Sequence, residues 1–178
     1  MNYSLFHPSA IIQGEIKLPR SKSLSNRALI IKALNADSFN IENLSQANDT
    51  VLLENALKIK DGEINVDDAG TAFRFLTSYL SVTEGQFILT GSQRMKQRPI
   101  GDLVDALRKL GAKIKYLENE NKPPLKIIGA TIEGGEVKIK GSTSSQFISS
   151  LLMIAPKLKK GLRLIIEDDL VSKPYIEM

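Results

Sequence analysis

The feature that most constrains what this chain can fold into is an internal repeat. Segments with helical spacing of apolar residues begin near Ser23, Thr71 and Ser145, each after an entry rich in Ser, Thr or Gly and each leading into a strand-like run. A second helix start follows each of them by about 26 to 29 positions, near Asp49, Ile100 and Pro174. The sequence thus reads as three related helix-strand-helix units. The expected fold class is α/β (α+β). Ser172, Pro174 and Tyr175 read as the opening turn of the third unit's second helix, yet the sequence stops at Met178. A single turn is too short to be stable by itself, which predicts a chain truncated in its third repeat; a frayed natural terminus is the alternative.

Within the repeat, the pattern predicts individual elements. Ile12, Ile16 and Leu18 alternate as in a short opening strand that Pro19 ends. A helix over 21–34 carries Leu24, Ala28, Ile31 and Leu34, and 39–44 reads as a strand. Asn48 and Asp49 suit the cap of a second helix through Val51, Leu52, Leu53, Ala56 and Leu57, with Gly62 closing it. A strand at 64–66, a helix from Gly70 to about Val82 and a strand at 87–90 follow. Pro99 opens a helix through Leu103, Val104, Leu107 and Leu110 that Gly111 ends. Strands and turns fill 112–141, 144–158 is helical with Pro156 awkward near its end, and 162–166 is a strand.

Composition narrows the function classes. With 178 residues, 42% hydrophobic and 25% charged, the chain is long enough to bury a real core as one domain. The absence of cysteine excludes disulfide scaffolds, thiolate zinc sites and cysteine nucleophiles. A net charge of +4, scattered rather than gathered in a tail, fits small anionic ligands at least as well as nucleic acid. Met1 to Ala10 holds polar residues and Pro8 where a signal peptide needs an apolar run, and no later run is long enough for a bilayer, so a cytoplasmic protein is the simplest expectation.

The helix starts share a chemistry. Each brings unpaired backbone N–H groups, hydroxyls or glycine, and a cation or amide to one place, as a phosphate or carboxylate site requires. Lys22 and Ser23 open the first, with Arg27 one turn on. Gly70 opens the second, where a missing Cβ permits close approach, and Thr71 and Arg74 complete the turn. Ser144, Ser145 and Gln146 open the third. Singly, each reads first as a simple cap; three in register are harder to explain that way and point to ligands. Arg94, Lys96 and Arg98 crowd just before a helix start, where cations oppose the dipole, so an external anion is the better explanation than a solvated basic loop.

Five runs in order then resemble one family: Lys22-Ser23-Leu24-Ser25-Asn26-Arg27, Ala69-Gly70-Thr71-Ala72-Phe73-Arg74, Arg94-Met95-Lys96-Gln97-Arg98-Pro99-Ile100, Gly141-Ser142-Thr143-Ser144-Ser145-Gln146-Phe147 and Ser172-Lys173-Pro174-Tyr175. They are similar to the successive motifs of the 5-enolpyruvylshikimate-3-phosphate synthases. The resemblance implies an enolpyruvyl transferase fold of repeated βαβαββ units, helices inside and sheets outside. It assigns 1–18 to a strand of a second domain and 19–178 to the first domain. That opening strand would lack its normal neighbours, and is expected to be mobile or paired with another molecule. The implied reaction transfers the enolpyruvyl group of phosphoenolpyruvate to the 5-hydroxyl of shikimate 3-phosphate, releasing phosphate, in the shikimate pathway to chorismate and aromatic amino acids. No metal or organic cofactor, nucleic acid or membrane is implied, and the full enzyme is expected to be a monomer. By position, Lys22, Ser23, Arg27, Ser144, Ser145, Gln146, Ser172 and Tyr175 correspond to shikimate 3-phosphate contacts, and Lys22, Gly70, Arg98 and Gln146 to phosphoenolpyruvate contacts. Thr71 and Arg74 support them, and Lys22 is the candidate for assisting proton transfer.

The general acid and base carboxylates are expected from the second domain; Asp49, Asp67 and Asp68 read as caps or loop ligands, and His7 as a surface residue. Asp68 stands where the family often has Asn, and Phe75 where it often has Pro, so the turn at Gly70, to which the inhibitor glyphosate is sensitive, departs from the common pattern. Three rivals remain: a sister enolpyruvyltransferase acting on UDP-N-acetylglucosamine, disfavoured by the serine-rich third motif; a noncatalytic shikimate 3-phosphate-binding half; and an RNA-related protein of similar repeats, disfavoured by 6% aromatic content.

Overall fold

The computed structural model describes all residues except Met1, Asn2, Leu5, Ala10, Ile12 and 36–38. Helices and strands follow in the order α1 (Lys22–Leu34), α2 (Asn48–Ala56), β1 (Gly62–Asn65), α3 (Gly70–Ser81), β2 (Gly85–Thr90), α4 (Gly101–Lys109), β3 (Lys113–Tyr116), β4 (Leu125–Gly129), β5 (Gly135–Lys140), α5 (Ser145–Ile154), β6 (Leu162–Glu167) and α6 (Pro174–Glu177). From β1 to β4 this is one complete βαβαββ unit. Its sheet has the order β1-β2-β4-β3, with β1 and β2 parallel and both hairpin-type pairings of β4 antiparallel. β5 and β6 pair in parallel across α5, the start of the same unit again.

Burial explains which residues form which layer. Almost all residues of α3 are buried, its polar Thr77, Ser78 and Ser81 included, which makes it a central core helix. Phe73, Phe75, Leu76 and Leu80 pack with Phe87 and Leu89 of β2, Leu103 and Leu107 of α4, Ile127 of β4 and Ile148 and Leu151 of α5 in one cluster. Each such side chain contributes about 1.5–3 kcal/mol on burial. The strands of the larger sheet alternate buried and exposed positions, so one face covers the helices and the other meets water.

The contacts among α1, α3 and α5 set their relative register. Thr71 and Gln146, each the second residue of its helix, are hydrogen-bonded at 3.0 Å. Further along, the Ser78 hydroxyl donates to Ser150 at 2.9 Å, so α3 and α5 lie side by side in the same direction. Arg27 of α1 sits over the Phe75 ring at 5.3 Å and donates to Ser149 at 2.9 Å. Those three are the sixth, sixth and fifth residues of their helices. Further along α1, Ile31 and Leu34 line one cavity with Leu152 and Met153 at the far end of α5, so the three helices run parallel and level, and packed helices stand about 8–10 Å apart. Their N-terminal ends, and the partial positive charge of each, gather at one end of the molecule.

Several sequence expectations need correction. The opening segment forms no strand among its described residues: Ile16 and Leu18 are exposed, with no strand edge beside them, and Ile12 lies outside the described residues. The 39–44 run is also not a strand among its described residues; apolar alternation cannot hold one without a pairing partner. The cap of α2 is Ala47, which has no side-chain cap bond, and Asn48 and Asp49 fall in the first turn. α2 ends at Ala56 rather than at Gly62, which instead begins β1. α4 begins at Gly101, two residues after Pro99, and the 144–158 helix turns to a tighter 3-10 turn at Ala155–Lys157, where Pro156 cannot donate to the preceding carbonyl. In α1 the periodic apolar residues make only part of the core face: Leu24 and Ile31 are exposed and Leu34 packs partly buried against the core, while Ser25, Asn26, Arg27, Leu29 and Ile30 are buried.

Candidate functional site

Where the helix starts converge, α3 presents Gly70. A Cβ there would lie 2.2 Å from Nη1 of Arg98 and 2.9 Å from Nη1 of Arg74, so both guanidinium groups rest on the glycine. Arg74 comes from one turn further along α3, and Arg98 from the extended residue that follows a short 3-10 turn at Met95–Gln97. Neither arginine is ion-paired with a carboxylate among the described residues. Arg74 has a pKa lowered from its ordinary value, first by burial and then by the neighbouring charge of Arg98. Two like charges held together over a helix N-terminus make a strong local demand for an anion.

Gln146 of α5 closes the other side. Arg74 Nη1 donates to its Oε1 at 2.9 Å, and its Nε2 donates to Thr71 Oγ1 at 3.0 Å. Arg74 also lies over the Phe147 ring at 5.5 Å, and its buried Nε has no hydrogen-bond partner among the described residues. Ser144 caps α5 by accepting from the Gln146 N–H at 3.3 Å. With Arg74, Asp102, Asn121 and Thr143, it lines a cavity of about 470 Å³. Ser145 is the first residue of α5 and is half-buried.

The α1 start is level with these groups but differently engaged. Ser21, not Ser23, is its cap, accepting from the Leu24 N–H at 3.3 Å. The Lys22 ammonium lies 3.4 Å from Asp49 of α2, beside a cavity of about 680 Å³ that Arg20, Ser45 and Gln46 also line. Ser23 is half-buried, and its carbonyl accepts from Arg27.

Arg27 itself is turned inward. Its guanidinium donates to Ser23 O at 3.1 Å, to Ser149 Oγ at 2.9 Å and to Tyr175 O at 2.8 Å, and burial lowers its pKa. Through those bonds it ties α1 to α5 and α6. Ser172, in a left-handed turn with φ of 59°, and Tyr175 are exposed at the start of α6.

Of the residues proposed from sequence, direct contacts thus join Gly70, Thr71, Arg74, Arg98 and Gln146, with Ser144 beside them. Arg27 and Tyr175 form a second group, and Lys22 a third place at the same end. Lys22, Arg27 and Arg98 line three different cavities. Sequence reasoning missed Ser149 as the partner of Arg27, although the repeat itself points to it, since both stand near the same helical position. It also read Asp49 as a cap, where the structure makes it the counterion of Lys22.

The sequence profile of EPSP synthase (3-phosphoshikimate 1-carboxyvinyltransferase) matches residues 6–59 and 53–178. The chain belongs to the EPSP synthase family. A 3-phosphoshikimate 1-carboxyvinyltransferase of Bacteroides fragilis (strain YCH46) is 51% identical over 178 residues, covering 100% of this chain and 43% of the relative. One of Sulfurovum sp. (strain NBC37-1) is 45% identical, covering 100% of this chain and 48% of the relative. The chain thus spans less than half the length of these EPSP synthase relatives. The structure of EPSP synthase from Acinetobacter baumannii superposes with a TM-score of 0.75 at 18% identity, over 92% of this chain and 42% of that one, which shows the shared fold. No helix among the described residues is long and apolar enough to cross a membrane.

Proposed function

We propose that this chain supplies the anion-holding half of a 3-phosphoshikimate 1-carboxyvinyltransferase site. The observation that carries this reading is the pair of guanidinium groups of Arg74 and Arg98 resting on Gly70 without a carboxylate partner among the described residues. Phosphoenolpyruvate sits against Gly70, Arg98, Gln146 and Lys22. Shikimate 3-phosphate lies across Ser23, Ser144, Ser145 and Gln146, with Lys22, Ser172 and Tyr175 on its α1 and α6 side, while Arg27, bonded to Ser23 O, Ser149 and Tyr175 O, holds α6 in place beside the ligand. Two multiply charged anions side by side repel strongly in a partly dehydrated cleft, and cations placed between them remove that cost. In the full reaction the methylene carbon of phosphoenolpyruvate gains a proton while the 5-hydroxyl attacks the adjacent carbon. Phosphate then leaves the tetrahedral adduct as a proton is lost. Lys22, paired with Asp49, assists charge stabilisation and proton movement, and carboxylates of a second domain act as acid and base.

In this reading 19–178 form the first domain and 1–18 belong with the second, the full enzyme is a cytoplasmic monomer, and its partners are small anions rather than nucleic acid or membrane. The 178-residue chain binds shikimate 3-phosphate without turnover. Calorimetry with shikimate 3-phosphate beside a phosphate-release assay with both substrates tests this. Saturable binding without phosphate release is expected; absence of binding contradicts the site, and turnover contradicts the division of labour.

A further inference from the structure

The Gln146 amide can face the cleft in two ways, with its oxygen or with its nitrogen, and only the nitrogen suits an anion. What selects between them is on the neighbouring helix. Arginine carries donors and no acceptor, so the atom of Gln146 that meets Arg74 Nη1 at 2.9 Å must be the oxygen. The amide nitrogen is thereby turned to Thr71 Oγ1 at 3.0 Å, which consumes one of its two hydrogens and leaves the other available. The guanidinium is itself held by the Phe147 ring beneath it, 5.5 Å from the ring centre, and cannot easily swing away.

We propose that Arg74 is a positioning residue: by fixing Oε1 of Gln146 toward itself, it makes the start of α5 a hydrogen-bond donor to the bound anion and never an acceptor. This rests on the anion-site reading above. Arg74 acts through Gln146 and does not need to touch the ligand. Without it Oε1 loses its donor, the amide is free to turn over, and a turned amide presents lone pairs to a phosphate or carboxylate.

The test uses the 178-residue chain, its Arg74→Met and Arg74→Lys variants, and Gln146→Glu. Nitrogen-15 NMR of the ligand-free chain reads the Gln146 side-chain NH2 directly. One proton is expected to be protected from exchange by Thr71, and Arg74→Met is expected to speed its exchange at least about tenfold. Titration with shikimate 3-phosphate is expected to show affinity falling about tenfold in Arg74→Met, with Arg74→Lys restoring both readouts to within about threefold. Gln146→Glu keeps an acceptor for Arg74 but has no donor for the ligand, so it folds and loses affinity. The proposal is overturned if Arg74→Met leaves the NH2 exchange unchanged, whatever happens to affinity, or if Gln146→Glu binds as well as the parent chain. If the parent chain does not bind shikimate 3-phosphate at all, the functional reading fails, and the NH2 exchange still decides whether Arg74 orients the amide.

Discussion

Replacing Gly70 by alanine separates the site from the fold. The new methyl group would stand 2.2 Å from Arg98 Nη1 and 2.9 Å from Arg74 Nη1. Ordinary carbon–nitrogen contact is about 3.5 Å, so the Arg98 guanidinium must retreat by more than about 1 Å. The severe overlap is with the far end of the Arg98 side chain, which can withdraw, and Arg74 needs to give by only about 0.6 Å, so the backbone need not move. Gly70 has no left-handed φ, so alanine there gains about 0.4–1 kcal/mol from the reduced freedom of the unfolded chain. The anion site, by contrast, loses the placement of a charge-assisted hydrogen bond worth about 1.5–3 kcal/mol, which is about 10- to 150-fold in affinity. Calorimetry with phosphoenolpyruvate in the presence of saturating shikimate 3-phosphate, beside thermal unfolding by circular dichroism, reads both. The expected result is weakened phosphoenolpyruvate binding with an unchanged or higher Tm. Equal affinity, or a lower Tm, would refute the view that this glycine exists for the guanidinium groups above it.

Gly129 is the contrasting case. A Cβ there would lie 1.8 Å from Thr83 O and 2.2 Å from Leu80 O, both backbone, so Gly129→Ala is expected to cost about 3 kcal/mol or more in chemical denaturation. Leu76 is fully buried in the α3 core, and Leu76→Ala is expected to lose about 2–5 kcal/mol in the same assay. The Tyr116 phenol is pushed up from 10.0 to about 12, first by burial and then by Asp105. The unfolded chain ionises it near pH 10 while the folded chain keeps it neutral, so its contribution is full below pH 10 and is lost as pH rises toward 12. Tyr116→Phe is expected to flatten the decline in stability over that window and to leave neutral pH behaviour unchanged.

The repeat was legible because it is a local pattern: period and helix-start chemistry place α1, α3 and α5 to within a residue or two. The level packing of those helices follows once their starts are aligned, as Thr71 with Gln146 and Arg27 with Phe75 demonstrate. Other features depend on what lies beside a segment. The 16–18 and 39–44 runs alternate like strands, but only a neighbouring edge makes a strand, and none pairs with their described residues. The inward turn of Arg27 was equally hidden, because a guanidinium on a polar helix face serves a ligand or a neighbouring carbonyl alike. Ser149 and Tyr175 O decide it, and both come from more than a hundred residues away.

Residue-resolved NMR titration of the backbone amides with shikimate 3-phosphate reaches the central claim most directly. If three level helix starts form one anion site, the amides of Ser23, Gly70, Thr71, Ser145 and Gln146 shift together and yield one dissociation constant. Shifts confined to a single helix start, or saturating at different concentrations from one helix to the next, contradict a shared site.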